Sequence, residues 1–231
     1  MQTTNSKEQE VDQVQEGLMR SVSRRKFFGY LGASSAFLAV AASCSKSSTT
    51  TPSTGVNLGS GDIGILNYAY ALEQLEAAFY TQVAATPYAG ITATEQGYLN
   101  DIRNHEVAHR EFFKAAIGTS AIGALQVNFS SINFADRTSV LNAAMAFEDL
   151  GVTAYNGAGQ LLVSPTYLTL AGKIVSVEAR HAALIRDLIS NGTFADSVDA
   201  NALDGARTPA AVLAIASTYI VTKIDASHLP S

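Results

Sequence analysis

Glu73-Gln74-Leu75-Glu76-Ala77-Ala78-Phe79-Tyr80 and Glu148-Asp149-Leu150-Gly151-Val152-Thr153-Ala154-Tyr155 share one outline, a Glu followed seven residues later by a Tyr. Seven residues make two helical turns, so each stretch sets carboxylate and phenol on one face of a helix. Apolar residues flank both glutamates: Tyr70, Ala71 and Leu72 precede the first, and Met145, Ala146 and Phe147 the second. A carboxylate on such a face is costly to bury without a partner. Partners stand further along the chain. Glu106-Val107-Ala108-His109 and Glu178-Ala179-Arg180-His181 are its only two Glu-x-x-His sequences. That spacing puts each imidazole about one turn from its carboxylate on the same face. The chain therefore repeats a unit, a helix with Glu and Tyr followed by a helix with Glu and His. Packed together, the four helices bring four carboxylates and two imidazoles to one depth.

Periodicity and punctuation support those helices. The first is expected from about Asp62 to Ala85, capped by Ser60 or Asp62 and stopped by Thr86-Pro87. The second opens on the capping-box pattern Thr92-Ala93-Thr94-Glu95 and ends at Gly118. The third runs from near Asp136-Arg137 to about Leu162, and Ser164-Pro165 starts a fourth that stops at Asn191-Gly192. Thr208-Pro209 opens a shorter amphipathic helix expected to reach Lys223, apolar through Val212, Leu213, Ile215, Ala216 and Tyr219. Packing against the bundle is its preferred role, with a homodimer contact second. Helices one and two, and three and four, are joined by short turns, so each pair should form a hairpin. Between the pairs, residues 118–135 are longer than a bundle turn needs. There Val127-Asn128-Phe129 and Ile132-Asn133-Phe134 alternate like an extended strap. The fold class is all-α: a four-helix bundle of two hairpins and one long crossover, with a short C-terminal helix.

Charge suggests what the cluster serves. Four ionised carboxylates repel one another strongly, and two divalent cations would neutralise them. Carboxylates with imidazoles suit hard or borderline metals, hence two Fe or Mn ions rather than copper or structural zinc.

Residues 62 to 190 resemble the ferritin-like superfamily, which includes ferritins, rubrerythrins and manganese catalases. Leu72-Glu73-Gln74-Leu75-Glu76-Ala77-Ala78-Phe79-Tyr80 is similar to an exported ferritin-like family that also contains desiccation-related proteins. The resemblance implies that Glu73, Glu106, His109, Glu148, Glu178 and His181 ligate two metals, with Glu106 and Glu178 bridging. It also implies a catalytic role for Tyr80 and Tyr155, as hydroxyls beside the ligands or as short-range electron donors. The expected activity is redox chemistry on O2 or peroxide, of ferroxidase, peroxidase or catalase-like kind. Two other classes stand beside it: a cell-envelope stress protein with structural metal, and a metal-free binding bundle. A hollow storage shell suits a tethered chain poorly.

Neighbouring residues divide less clearly. Glu76, whose counterpart in the third helix is Gly151, reads as a substitute ligand, as a base near the site, or as a partly exposed glutamate. His105 should point about 100° away from Glu106, toward the surface or a partner. Asp149 is expected at the surface, and His228 as incidental. Arg103 and Arg180 could pair with outer carboxylates, which would make a metal-free bundle.

The 231 residues are 47% hydrophobic and 15% charged, enough for one core, with net charge −5. That acidic balance argues against nucleic acid, since no basic stripe exists to meet phosphates. The single cysteine, Cys44, excludes an internal disulfide and a thiolate cluster. Residues 1–44 read as an export signal: Ser23-Arg24-Arg25-Lys26-Phe27-Phe28, then an apolar run to Ala42 too short to span a bilayer. The paired arginines resemble a twin-arginine motif and so imply the Tat export machinery, although Phe28 and Gly29 replace its usual Leu and Lys. An ordinary signal that contains two arginines is the alternative. Ala41-Ala42-Ser43-Cys44 resembles a lipobox, with Cys44 carrying a lipid anchor, and cleavage after Ala39-Val40-Ala41 is the competing fate. Residues 45–60 form a Ser/Thr-rich linker, 61–192 the bundle, and 193–231 a strap and the last helix. The expected location is the periplasm or cell envelope.

Overall fold

The computed structural model describes residues 55–231; the signal segment with Cys44 and most of the linker lie outside the described residues. The chain forms β1 (Val56–Asn57), α1 (Gly61–Ala85), α2 (Ala93–Ile117), a 3-10 turn (Gly118–Ser120) and α3 (Arg137–Gly159). There follow α4 (Pro165–Ile189), α5 (Pro209–Ala216) and β2 (Ile224–Asp225). Helices α1 and α2 pack as one hairpin, α3 and α4 as the other, and α1 meets α3 between them. This is the two-hairpin bundle that the repeat predicts. No helix among the described residues is long and apolar enough to cross a membrane.

Helix starts follow the capping residues. Thr92 accepts from Glu95 N, Asp136 from Ser139 N, Ser164 from Tyr167 N and Thr208 from Ala211 N, each satisfying an amide that the first turn leaves unpaired. At α1 the N-cap position falls on Ser60, one of the two expected residues, and its carbonyl accepts from Gly64 N at 3.0 Å. Ser60 makes no side-chain cap bond. Asp62 instead accepts from Val163 N and Ser164 N, both at 2.8 Å, and so ties the α3–α4 turn to the start of α1. Gly118 ends α2 at φ 63°, a backbone region that glycine enters without steric cost.

Helix α1 is buried on nearly every side, without a break from Gly64 to Ala77, because the crossover and the C-terminal segment cover what the other helices leave open. Its two buried amides hold the strap. Asn67 donates to Ser120 O and accepts from Ile122 N, and Gln74 donates to Gly123 O and accepts from Leu125 N. Phe129 and Ile132 then turn into the core. The Phe79 ring meets Phe129 at 5.8 Å and Phe147 at 4.9 Å, separations at which edge-to-face pairs are favourable.

The C-terminal reading needs correction. The last helix stops at Ala216, short of Lys223, and α3 stops at Gly159, short of Leu162. Beyond α5 the chain takes backbone partners from distant segments: Val221 N donates to Gln126 O at 2.8 Å, and Ile220 bridges Val127. β2 then pairs in parallel with β1. The end of the linker is thus part of the fold, and Leu58 is fully buried. Val212 and Ala216 face the core, whereas Ile215 is exposed. The segment leading to α5 lies against α3, where Arg207 N donates to Thr153 O at 2.9 Å. Gly157 allows that approach, since a Cβ there would sit 1.8 Å from Arg207 O.

Candidate metal centre

Each helix of the bundle sends a fully buried carboxylate to the middle: Glu73 from α1, Glu106 from α2, Glu148 from α3 and Glu178 from α4. His109, one turn after Glu106, and His181, one turn after Glu178, complete the set. His109 Nδ1 lies 2.9 Å from Glu178, 3.5 Å from Glu73 and 3.7 Å from Glu106. His181 Nδ1 lies 2.9 Å from Glu106, 3.4 Å from Glu148 and 3.8 Å from Glu178. Each imidazole therefore faces three carboxylates, and Glu106 and Glu178 belong to both groups. In each group one donor atom per residue falls within 4.8 Å of all the others, the size of a metal-ion site.

Orphaned atoms show what these groups fit. Both oxygens of Glu106 and of Glu178, one oxygen each of Glu73 and Glu148, and Nδ1 of both histidines are buried without a hydrogen-bond partner. The short contacts between ring nitrogens and carboxylates thus lack the direction of hydrogen bonds. Lone pairs converge on shared points rather than on each other. Buried polar atoms are otherwise almost always satisfied, and a pair of cations at those points would satisfy all of them.

The remaining oxygens of the outer carboxylates are held crosswise. Tyr80 of α1 donates to Glu148 of α3, and Tyr155 of α3 donates to Glu73 of α1. Burial, then the facing carboxylate, pushes both phenols far above their ordinary pKa, so they keep their protons and donate. Without metal the centre also holds protons. Burial raises Glu73 well above its usual value and Glu148 to about 8. Burial works to lower His109 and His181, but the carboxylates around them win and push each up to about 12. The same two imidazoles overcome the burial of Glu106 and hold it down at about 2.

Proton release follows. Ligating nitrogens and oxygens must be unprotonated, so metal loading near pH 7 would displace protons from His109, His181 and Glu148. Affinity therefore rises with pH, by about tenfold per unit for each proton displaced; the Glu148 contribution ends above about pH 8. Calorimetry in two buffers of different ionisation enthalpy counts the protons. Equal heats in both buffers would contradict this arrangement.

All six predicted ligands and both tyrosines come together. Of their neighbours, His105 reaches the surface as expected, and Glu76 loses the exposed one of its three readings. His105 is solvent-exposed, but its Nδ1 is 2.9 Å from His181 Nε2 and the two rings stack at 5.2 Å. It thus occupies the nitrogen that His181 turns away from the cluster. Burial and then His181 hold its pKa below the usual value. Glu76 is not partly exposed: it is 3% exposed and directed at the cluster across from Gly151. Asp149 pairs with Arg186 on the outer side of α3. Arg103 meets Asn104 rather than a cluster carboxylate. His228 lies by Ser227 and Asn57, far in sequence from the centre.

A family model described as "Ferritin-like domain" matches residues 61–191, a span that includes all four helices and every residue of the centre. None of the curated proteins compared with the chain matches it.

Proposed function

We propose, given that this chain belongs to the ferritin-like domain family, that it holds two Fe or Mn ions and performs redox chemistry on O2 or peroxide. The observation that supports this is the sharing of Glu106 and Glu178 between the two groups of donors. One ion would take Glu73 and His109, the other Glu148 and His181, with Glu106 and Glu178 bridging. When bound, such a pair supplies two oxidation-state changes side by side.

The chain's own residues set the surroundings of that chemistry. Tyr80 and Tyr155 keep a proton beside Glu148 and Glu73 and fix which oxygen of each carboxylate faces inward. They are also oxidisable side chains in direct hydrogen-bond contact with the cluster, suited to pass single electrons over short range. Phe79, Phe113 and Phe147 are buried around them and keep bulk water from the site, which strengthens every electrostatic contact inside.

The test is anaerobic loading of the full chain with Fe(II) or Mn(II), metal counting by mass spectrometry, then addition of O2 or peroxide. About two ions per chain and consumption of one oxidant are expected. His109→Ala and His181→Ala should lose both metal and turnover, and full turnover in either variant would overturn the assignment.

The same proposal extends to the front of the chain. Residues 1–44 serve as a twin-arginine-type export signal, and Cys44 as the site of lipid attachment, which places the bundle in the periplasm or cell envelope. Export of an already folded chain accords with a centre that must select its metal before leaving the cytosol.

A further inference from the structure

Glu76 is a carboxylate that the six-ligand centre does not use. It lies on α1 one turn beyond Glu73, is 3% exposed, and its Oε2 has no hydrogen-bond partner. Among the described residues no lysine or arginine pairs with it, and its strongest charged neighbours are Glu178, Glu106, Glu73 and Glu148. The repeat shows that the fold does not require a long side chain here, because the matching position of α3 is Gly151. That glycine leaves room for it. A Cβ at residue 151 would stand 3.1 Å from Glu76 Oε1 and 3.7 Å from Glu178 Oε2. An acid kept only to fill space would have acquired a hydrogen-bond donor or been an apolar residue.

We propose that Glu76 is a fifth carboxylate ligand of the centre, seated in the room left by Gly151, and that it biases the site toward trivalent ions. The inference rests on the two-metal reading and deepens it. Four carboxylates balance two divalent cations, whereas five leave one negative charge over, which a divalent–trivalent pair neutralises. Excess negative charge in a water-poor site strengthens the binding of the more highly charged ion most. The two halves of the repeat are then unequal by design of sequence, Glu in one and Gly in the other.

The experiment compares Mn(II) with Ga(III), a trivalent ion that does not change oxidation state, on the full chain. Binding is measured by competition with a chelator and counted by mass spectrometry. Wild type should take two Mn(II) and prefer Ga(III). Glu76→Gln should still take two Mn(II), with its preference for Ga(III) over Mn(II) reduced by about tenfold or more. Gly151→Ala, which leaves the carboxylate in the chain but crowds Oε1, should reduce that preference in the same direction. It provides the answer if the Gln variant does not fold. Wild-type preference in Glu76→Gln, or in Gly151→Ala where it alone folds, overturns the role of Glu76 and leaves the six-ligand centre standing. A wild-type chain that takes neither ion overturns both.

Discussion

Under the proposed two-metal reading, Glu106→Ala and Glu178→Ala should each empty both metal positions, while Glu73→Ala and Glu148→Ala should each leave one metal per chain. The difference follows from which oxygens are committed. Glu106 and Glu178 have both oxygens buried and unpartnered, and each lies near both imidazoles. Glu73 and Glu148 give one oxygen to a tyrosine and face one imidazole. Losing a shared carboxylate removes a donor from each ion and the link between them. Since removing even a supporting partner of a ligand lowers metal affinity by about 10–100-fold, loss of a shared ligand should exceed about 100-fold at both positions. Metal counting after gel filtration separates the two classes. Equal stoichiometry in all four variants would mean that the carboxylates do not divide into shared and terminal ones.

On the same reading, removing the metal should cost the fold a large part of its stability. Glu73, Glu76, Glu106, Glu148 and Glu178 are all buried, and among the described residues the basic contacts of this group are His109 and His181. Five buried acids against two imidazoles is an unfavourable centre for a folded chain, and the unfolded chain is relieved of it. A ligand at a thousand times its dissociation constant stabilises by about 4 kcal/mol per site. For a domain of this size that corresponds to roughly 8–16 °C in Tm for one ion, and more for two. Thermal unfolding with Mn(II) and with chelator measures it. Glu73→Gln should raise the Tm of the metal-free protein and lower that of the loaded one. A Tm indifferent to metal would mean that the cluster is not a metal centre.

The helices and the six donors were legible because each helix carries its own signal. Glu and Tyr two turns apart, or Glu and His one turn apart, are relations within a helix, and the repeat fixes which faces meet. The contact of His105 with His181 was not legible for the converse reason. The offset of His105 from Glu106 is set by α2, but whether the ring points at solvent or at His181 depends on where α4 lies. Glu76 had a faint signal in Gly151, which matters only once α1 and α3 are known to face each other. The end of the chain failed at longer range: nothing near Thr218–Thr222 announces that its backbone partners are Gln126 and, beyond it, the residues just before α1.

That last pairing has a mechanical consequence. Val56 N donates to Lys223 O at 2.7 Å and Leu58 N to Asp225 O at 3.1 Å, so the chain entering the bundle is clasped by the chain leaving it. A pull transmitted through the residues before 55 loads this clasp and the buried Leu58 first, and α1 with Glu73 only after they yield. Movement of whatever precedes the bundle is therefore taken up at its edge, and the spacing of the donors inside is left undisturbed.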